Sequence, residues 1–316
     1  MKRSILIAEF LSTPWALMPQ RLNAFAGILR RWSRGGVADV ATMESIQADK
    51  RARADKRASN TAAGYSGGIT VLPLYGVVTQ RGNMIDDISG PGSTSTQRFT
   101  QALRDAIADP AVGSILIDID SPGGSVYGVG ELAAEIMQAR SAKPICAIAN
   151  SLAASAAYWI GSAASEFYVT PGGEVGSIGV WQAHEDWSKA LEEDGIKVTL
   201  ISAGKHKVEG NPYRPLDGDA RAFMQSRVDD YYSAFTKGVA KARGTGIDQV
   251  RKGMGQGRVL GADAALAENM VDGIMTFDDV VKKMQRDAKA ARKFPSNPGA
   301  SRLAIAQREL KMLSQG

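Results

Sequence analysis

The feature that most constrains this chain is a change of rhythm at residue 69. From there onward, short apolar runs alternate with stretches of helical periodicity, the pattern of βαβ units around a largely parallel sheet. The spacing predicts strands at 69–78, 114–119, 144–149, 167–170, 177–180 and 198–202. It predicts helices at 96–108, 126–140, 153–164, 187–193, 217–243 and 278–291. Ser121-Pro122-Gly123-Gly124 reads as a turn between a buried strand and the helix after it.

Outside this body the chain is of another kind. Residues 1–33 read as an N-terminal helical segment and 34–66 as a charged, aromatic-poor linker containing Ala-Asp-Lys-Arg-Ala twice. Residues 67–281 form the main domain, and 282–316 a basic C-terminal tail. Residues 1–66 carry an excess of 6 positive charges and 282–316 an excess of 7, so a net charge of +5 leaves the body at −8. The basic ends are read as solvated, flexible tails; nucleic acid is not an expected partner, since no nucleic-acid-binding motif accompanies the charge.

Composition excludes several classes. With 44% hydrophobic and 22% charged residues, neither a disordered nor a fibrous chain fits. Cys146 is the sole cysteine, which rules out an internal disulfide and makes a reducing, cytoplasmic setting the simplest expectation. The apolar run at 5–11 is interrupted by Glu9 and Pro14, so neither a secretion signal nor membrane insertion is expected. Two separated histidines and one cysteine do not make a zinc site, and no phosphate-binding Gly-x-x-x-x-Gly-Lys-Ser/Thr sequence is present. No cofactor or metal is called for.

Two strand-to-helix junctions carry candidate chemistry. At Gly123-Gly124 a side-chain-free backbone after a buried strand can approach a ligand closely, with amide donors of the oxyanion-hole kind. At Asn150-Ser151-Leu152-Ala153-Ala154-Ser155-Ala156-Ala157-Tyr158, small neighbours leave room beside Ser155, and the Ala156 amide is a second candidate donor. Tight packing alone would also account for an Ala/Ser-rich helix.

A serine hydroxyl is a weak nucleophile until a base takes its proton. Lys207 lies among glycines and a proline at 202–212, and a lysine can serve as base only when burial disfavours its charge, which requires packing against the Ser155 helix. Lys205, on the same side of an extended segment, competes with it, whereas His206 would face away. A triad through His184, held by Asp186 or Asp194, is the rival. Acyl-CoA chemistry through Glu174 and Glu185 is a more distant alternative.

Taken together, Asp120-Ser121-Pro122-Gly123-Gly124, Ala153-Ala154-Ser155 with Tyr158, Gly176-Ser177-Ile178-Gly179-Val180, and Gly204 with His206-Lys207 and Gly210-Asn211-Pro212 resemble the signal peptide peptidase A (protease IV) family. The resemblance runs from about residue 69 to 273 and is strongest to the phage head maturation proteases, whose opening Thr13-Pro14-Trp15-Ala16 also resembles. It implies an α/β, Clp/crotonase-like spiral of repeated ββα units assembling into homo-oligomeric rings. It also implies Ser155 as nucleophile, Lys207 as base, the Gly124 and Ala156 amides as the oxyanion hole, and Ser177 as a residue orienting the lysine. The implied substrates are scaffold, portal or coat proteins of an assembling head. Signal-peptide-peptidase-like turnover, or an inactive assembly or scaffolding protein, are the alternatives.

Overall fold

The computed structural model describes residues 14–18, 68–81 and 93–293. Most of the segments assigned to an N-terminal helix and a linker, and the basic tail beyond 293, lie outside the described residues. Residues 14–18 are extended, and Trp15–Leu17 form the first strand, β1.

The centre is a sheet of mostly parallel strands. β2 (Ile69–Tyr75), β5 (Ser114–Ser121) and β7 (Ile145–Ala154) lie side by side in parallel. At β7 the sheet forks: its first half pairs with β8 (Glu166–Val169), its second half with β9 (Glu174–Gly176). Two short strands extend the fork, β10 (Val259–Gly261) antiparallel on β9 and β11 (Gly273–Ile274) parallel on β8.

Both faces of this sheet are covered, which explains why its strands read as continuous apolar runs. Successive side chains of a strand point to opposite faces. Ile115, Ile117 and Ile119 accordingly join the larger core with α1 (Thr96–Ala108), α2 (Val129–Ala139) and α3 (Ala156–Ser162). Leu116, Cys146 and Ile148 face the other way, onto Val280, Val281 and Met284 of α8 (Phe277–Lys293).

Two of the helices begin at side-chain caps that the sequence supplies. Ser95 accepts from the Arg98 amide to start α1, which buries Phe99, Leu103 and Ala106 at the spacing of one helical face. The short α4 (Ser188–Glu193) comes next. Asp217 caps α5 (Gly218–Arg243) by accepting from the Ala220 amide. Phe235 of α5 stacks on Trp159 of α3, centroids 4.8 Å apart, and so packs α5 against the helix that begins after Ser155. Two one-and-a-half-turn helices, α6 (Ile247–Lys252) and α7 (Ala262–Ala267), complete the body.

A second, smaller sheet in the order β1-β6-β3-β4 borders the first, with β3 (Val77–Thr79), β4 (Ser93–Ser95) and β6 (Gly123–Ser125). Three local expectations need correction. Gly123 and Gly124 do not sit in a simple turn: they are strand residues, paired with β1 on one side and β3 on the other. The strand expected at 177–180 is β9, displaced to Glu174–Gly176, because positive φ at Gly176 and Ser177 turns the chain away. No strand forms at 198–202, where Val198, Leu200 and Ile201 are exposed and pair with no strand among the described residues.

Candidate active site

Ser155 stands at the junction of β7 and α3 with φ 56° and ψ −118°. A non-glycine residue in that region costs on the order of 1–3 kcal/mol and persists only where its surroundings over-determine it. Those surroundings are visible. The Ser155 amide donates to the Gly176 carbonyl at 2.6 Å, and its carbonyl accepts from Trp159 at 3.0 Å. The side chain is 1% exposed, and Oγ donates to the Gly179 carbonyl at 3.4 Å, a weak contact.

Space beside the hydroxyl comes from the glycines. A Cβ on Gly123 would meet the Ala16 carbonyl and lie 2.9 Å from Ser155 Cβ; on Gly124 it would overlap the Val78 backbone. Ser121 secures the approach, its hydroxyl donating to the Gly76 carbonyl at 2.6 Å while accepting from the Gly123 amide at 3.2 Å. The amide of Ala156, first in α3, has no acceptor within its own helix and, among the described residues, donates to no other backbone carbonyl.

The amide of Gly124 points elsewhere. Trp15 exchanges both backbone hydrogen bonds with Trp181, at 2.9 and 3.0 Å, and Met18 donates to the Pro122 carbonyl at 3.1 Å. Polar groups of successive strand residues alternate in direction, so those of Ala16 face Gly124, its partner in the register. The Gly124 N–H therefore meets the Ala16 carbonyl.

Ser177 is buried at φ 53°, its amide donating to the Arg258 carbonyl at 2.7 Å. Lys207 is not brought to Ser155 in this chain. It lies in an exposed run of turns, its amide donating to Gly204 at 3.1 Å, and its amine has no hydrogen-bond or ion-pair partner among the described residues. The turns also remove the basis for placing Lys205 and Lys207 on one side of an extended segment. His206 pairs with Glu209 at 2.6 Å.

The loop bearing Lys207 is tethered at its far end. Asn211 donates to the Val208 carbonyl and accepts from the Tyr213 amide, while the Pro212 carbonyl accepts from Trp187. His184 contacts the Asn211 carbonyl at 3.0 Å. Asp186 takes the amide and hydroxyl of Ser188, bonds that hold its carboxyl below the usual carboxylate range, and Glu185 accepts from Trp187 Nε1. Among the described residues, His184 is hydrogen-bonded to neither Asp186 nor Asp194, the two carboxylates expected for a triad. Tyr158 is an anchor: its hydroxyl donates to the Met270 carbonyl at 3.0 Å, and burial pushes its ionisation well above the ordinary range.

Sequence reasoning missed Gly176 and Gly179 as acceptors for Ser155, and it missed β1 and Trp181 altogether as neighbours. The Gly-Ser-Ile-Gly motif was the available signal for the first pair; carbonyl roles leave no trace in residue type.

Comparison with known proteins gives the following similarities. Residues 137–291 match Peptidase family S49. The chain is 37% identical over 226 residues to "Capsid assembly protease C" of Escherichia phage lambda, covering 72% of this chain and 50% of that protein. It is 34% identical over 217 residues to "Head-tail preconnector protein GP5" of Enterobacteria phage P21, covering 69% and 42%. "Protease 4" of Salmonella typhi is 30% identical over 214 residues, covering 67% and 34%. The chain spans half or less of the length of these relatives. The similarity to peptidase family S49 is carried by residues 137–291, about half of the chain.

Proposed function

We propose that this chain is a serine endopeptidase acting on scaffold, portal or coat proteins during phage head maturation, with Ser155 as nucleophile and Lys207 as its base. The observation that carries the reading is Ser155 itself: buried, backbone-strained, at a strand-to-helix junction, and bordered by two glycines whose Cβ positions are occupied. The setting is supported by one relative named a capsid assembly protease and another named a head-tail preconnector protein.

In this reading neutral Lys207 takes the Ser155 proton as Oγ attacks a peptide carbonyl, and the oxyanion is held by the Ala156 amide and by the Gly124 amide once the Ala16 carbonyl has left it. Lys207 then protonates the leaving amine, and the acyl-enzyme is hydrolysed by water that the same lysine activates. Ser177 orients the amine. For the exposed Lys207 loop to reach Ser155, it must close down or be packed by a neighbouring copy. The apolar, unpaired stretch from Val198 to Ile201 favours the neighbouring copy, consistent with a Clp/crotonase-type ring, in which the host cytoplasm or the assembling head is the working environment.

Mass spectrometry of the chain coexpressed with neighbouring capsid proteins, wild type beside Ser155→Ala, tests this. Capsid proteins cut only by the wild type are the expected result; identical cleavage in both removes Ser155 as nucleophile.

A further inference from the structure

The N-terminal strand lies where an extended peptide would lie if β6 were the wall of a substrate cleft. β1 runs antiparallel to β6, with Trp15 opposite Ser125, Ala16 opposite Gly124 and Leu17 opposite Gly123. On its other edge, Trp15 exchanges two backbone hydrogen bonds with Trp181, and Trp181 Nε1 donates to the Leu17 carbonyl at 2.9 Å. Both edges of the strand are therefore paired, and its three residues are almost completely buried. This is recognition by strand addition, in which backbone pairing supplies affinity and pockets for alternate side chains supply selectivity.

Its position relative to the nucleophile is equally specific. The Ala16 carbonyl faces the Gly124 amide, and Gly123 is the shared neighbour of that carbonyl and of Ser155 Cβ. A peptide held this way presents one carbonyl to the candidate oxyanion donor. Ala16, the residue there, is too small to obstruct it.

We infer that the groove between β6 and Trp181 is the peptide-binding cleft and that Trp15–Leu17 occupies it as an internal peptide, in competition with external substrate. This rests on the peptidase reading for its consequence but not for its geometry. A substrate strand must displace β1, so apparent affinity is reduced by the fraction of molecules in which the groove is filled. The side chains accepted on either side of the central small residue would be large and apolar, as Trp15 and Leu17 are.

The test uses the full-length chain carrying Ser155→Ala, alone and with Ala16→Pro or Leu17→Asp. Proline removes the amide that pairs with Gly124, and aspartate places a charge at a buried position. The probe is a fluorescein-labelled peptide copying residues 13–19, its binding followed by anisotropy. Either substitution should tighten binding about tenfold by emptying the groove. Equal or absent binding in variants that retain a native unfolding transition overturns the inference.

Hydrogen exchange of the unaltered chain guards against variants that do not fold: excess unlabelled peptide should speed exchange at residues 14–18, and unchanged protection there counts against a shared groove. In the Ser155-containing chains, fluorophosphonate labelling separates this inference from the one beneath it. No labelling in any chain, with tighter peptide binding in the variants, defeats the peptidase reading alone. Labelling at one rate in all chains, without peptide binding, defeats the cleft assignment alone.

Discussion

The backbone amide of Ser155 donates to the carbonyl of Gly176 at 2.6 Å, and this bond joins the junction of β7 and α3 to the end of the neighbouring strand β9. Ser155, at φ 56°, is thereby held in a conformation that a non-glycine residue rarely adopts, whereas Gly176 takes its φ of 127° without a Cβ penalty.

Strain at Ser155 should separate stability from activity. Ser155→Gly relieves the positive-φ cost, so it should be more stable than Ser155→Ala by about 1 kcal/mol. Both should lose about 10³-fold or more in peptidase activity, because neither carries a nucleophile. Thermal unfolding of the pair, beside a peptide-cleavage assay, checks the two expectations together.

Lys207 offers the opposite separation. As an exposed side chain without a partner, its replacement should change stability by about 0.5 kcal/mol or less. Lys207→Arg should nonetheless abolish cleavage, because a guanidinium does not give up its proton at usable pH. Activity retained in Lys207→Arg, at unchanged Tm, takes the lysine out of the mechanism.

Gly124→Ala tests the close approach of two strands. The added Cβ would overlap Val78 backbone atoms, which have no freedom to rotate away. We expect a loss of about 2–4 kcal/mol, at the severe end for a single methyl group. Urea unfolding showing near-wild-type stability would mean that β3 and β6 are farther apart than described.

Burial sets the response to alkali. Desolvation, with the nearby Glu166 carboxylate, pushes the Cys146 thiol from an ordinary 9.0 up to about 12, and burial likewise pushes the Tyr168 phenol up to about 12. Below pH 9 both groups keep their protons folded or unfolded and cost nothing. Above it the unfolded chain releases them first, so stability should fall as pH rises from about 9 towards 12. Thermal unfolding across that window reads the effect. A maleimide should leave Cys146 unmodified in the native state at pH 8, since the reactive thiolate is scarce there and the side chain is buried.

What the sequence determined by itself was whatever depends on near neighbours along the chain. Helix 96–108 was legible because Ser95 caps it and its apolar residues recur on one face. Strands 114–119 and 144–149 were legible because burial on both sides makes them continuously apolar. Ser155 and the glycine pair were legible as small residues at strand ends, and the resemblance named their roles.

Tertiary structure decided what depends on residues far apart in sequence. Residues 198–202 read as a strand, yet a strand exists only where another edge offers hydrogen bonds, and among the described residues none pairs with them. Lys207 could be named from its motif, but its distance from Ser155 is set by how a long loop packs. The placing of Trp15–Leu17 between Gly124 and Trp181 joins segments over a hundred residues apart through backbone groups that every residue carries. No choice of side chain announces such a pairing; it follows from which strand edge the rest of the fold leaves open.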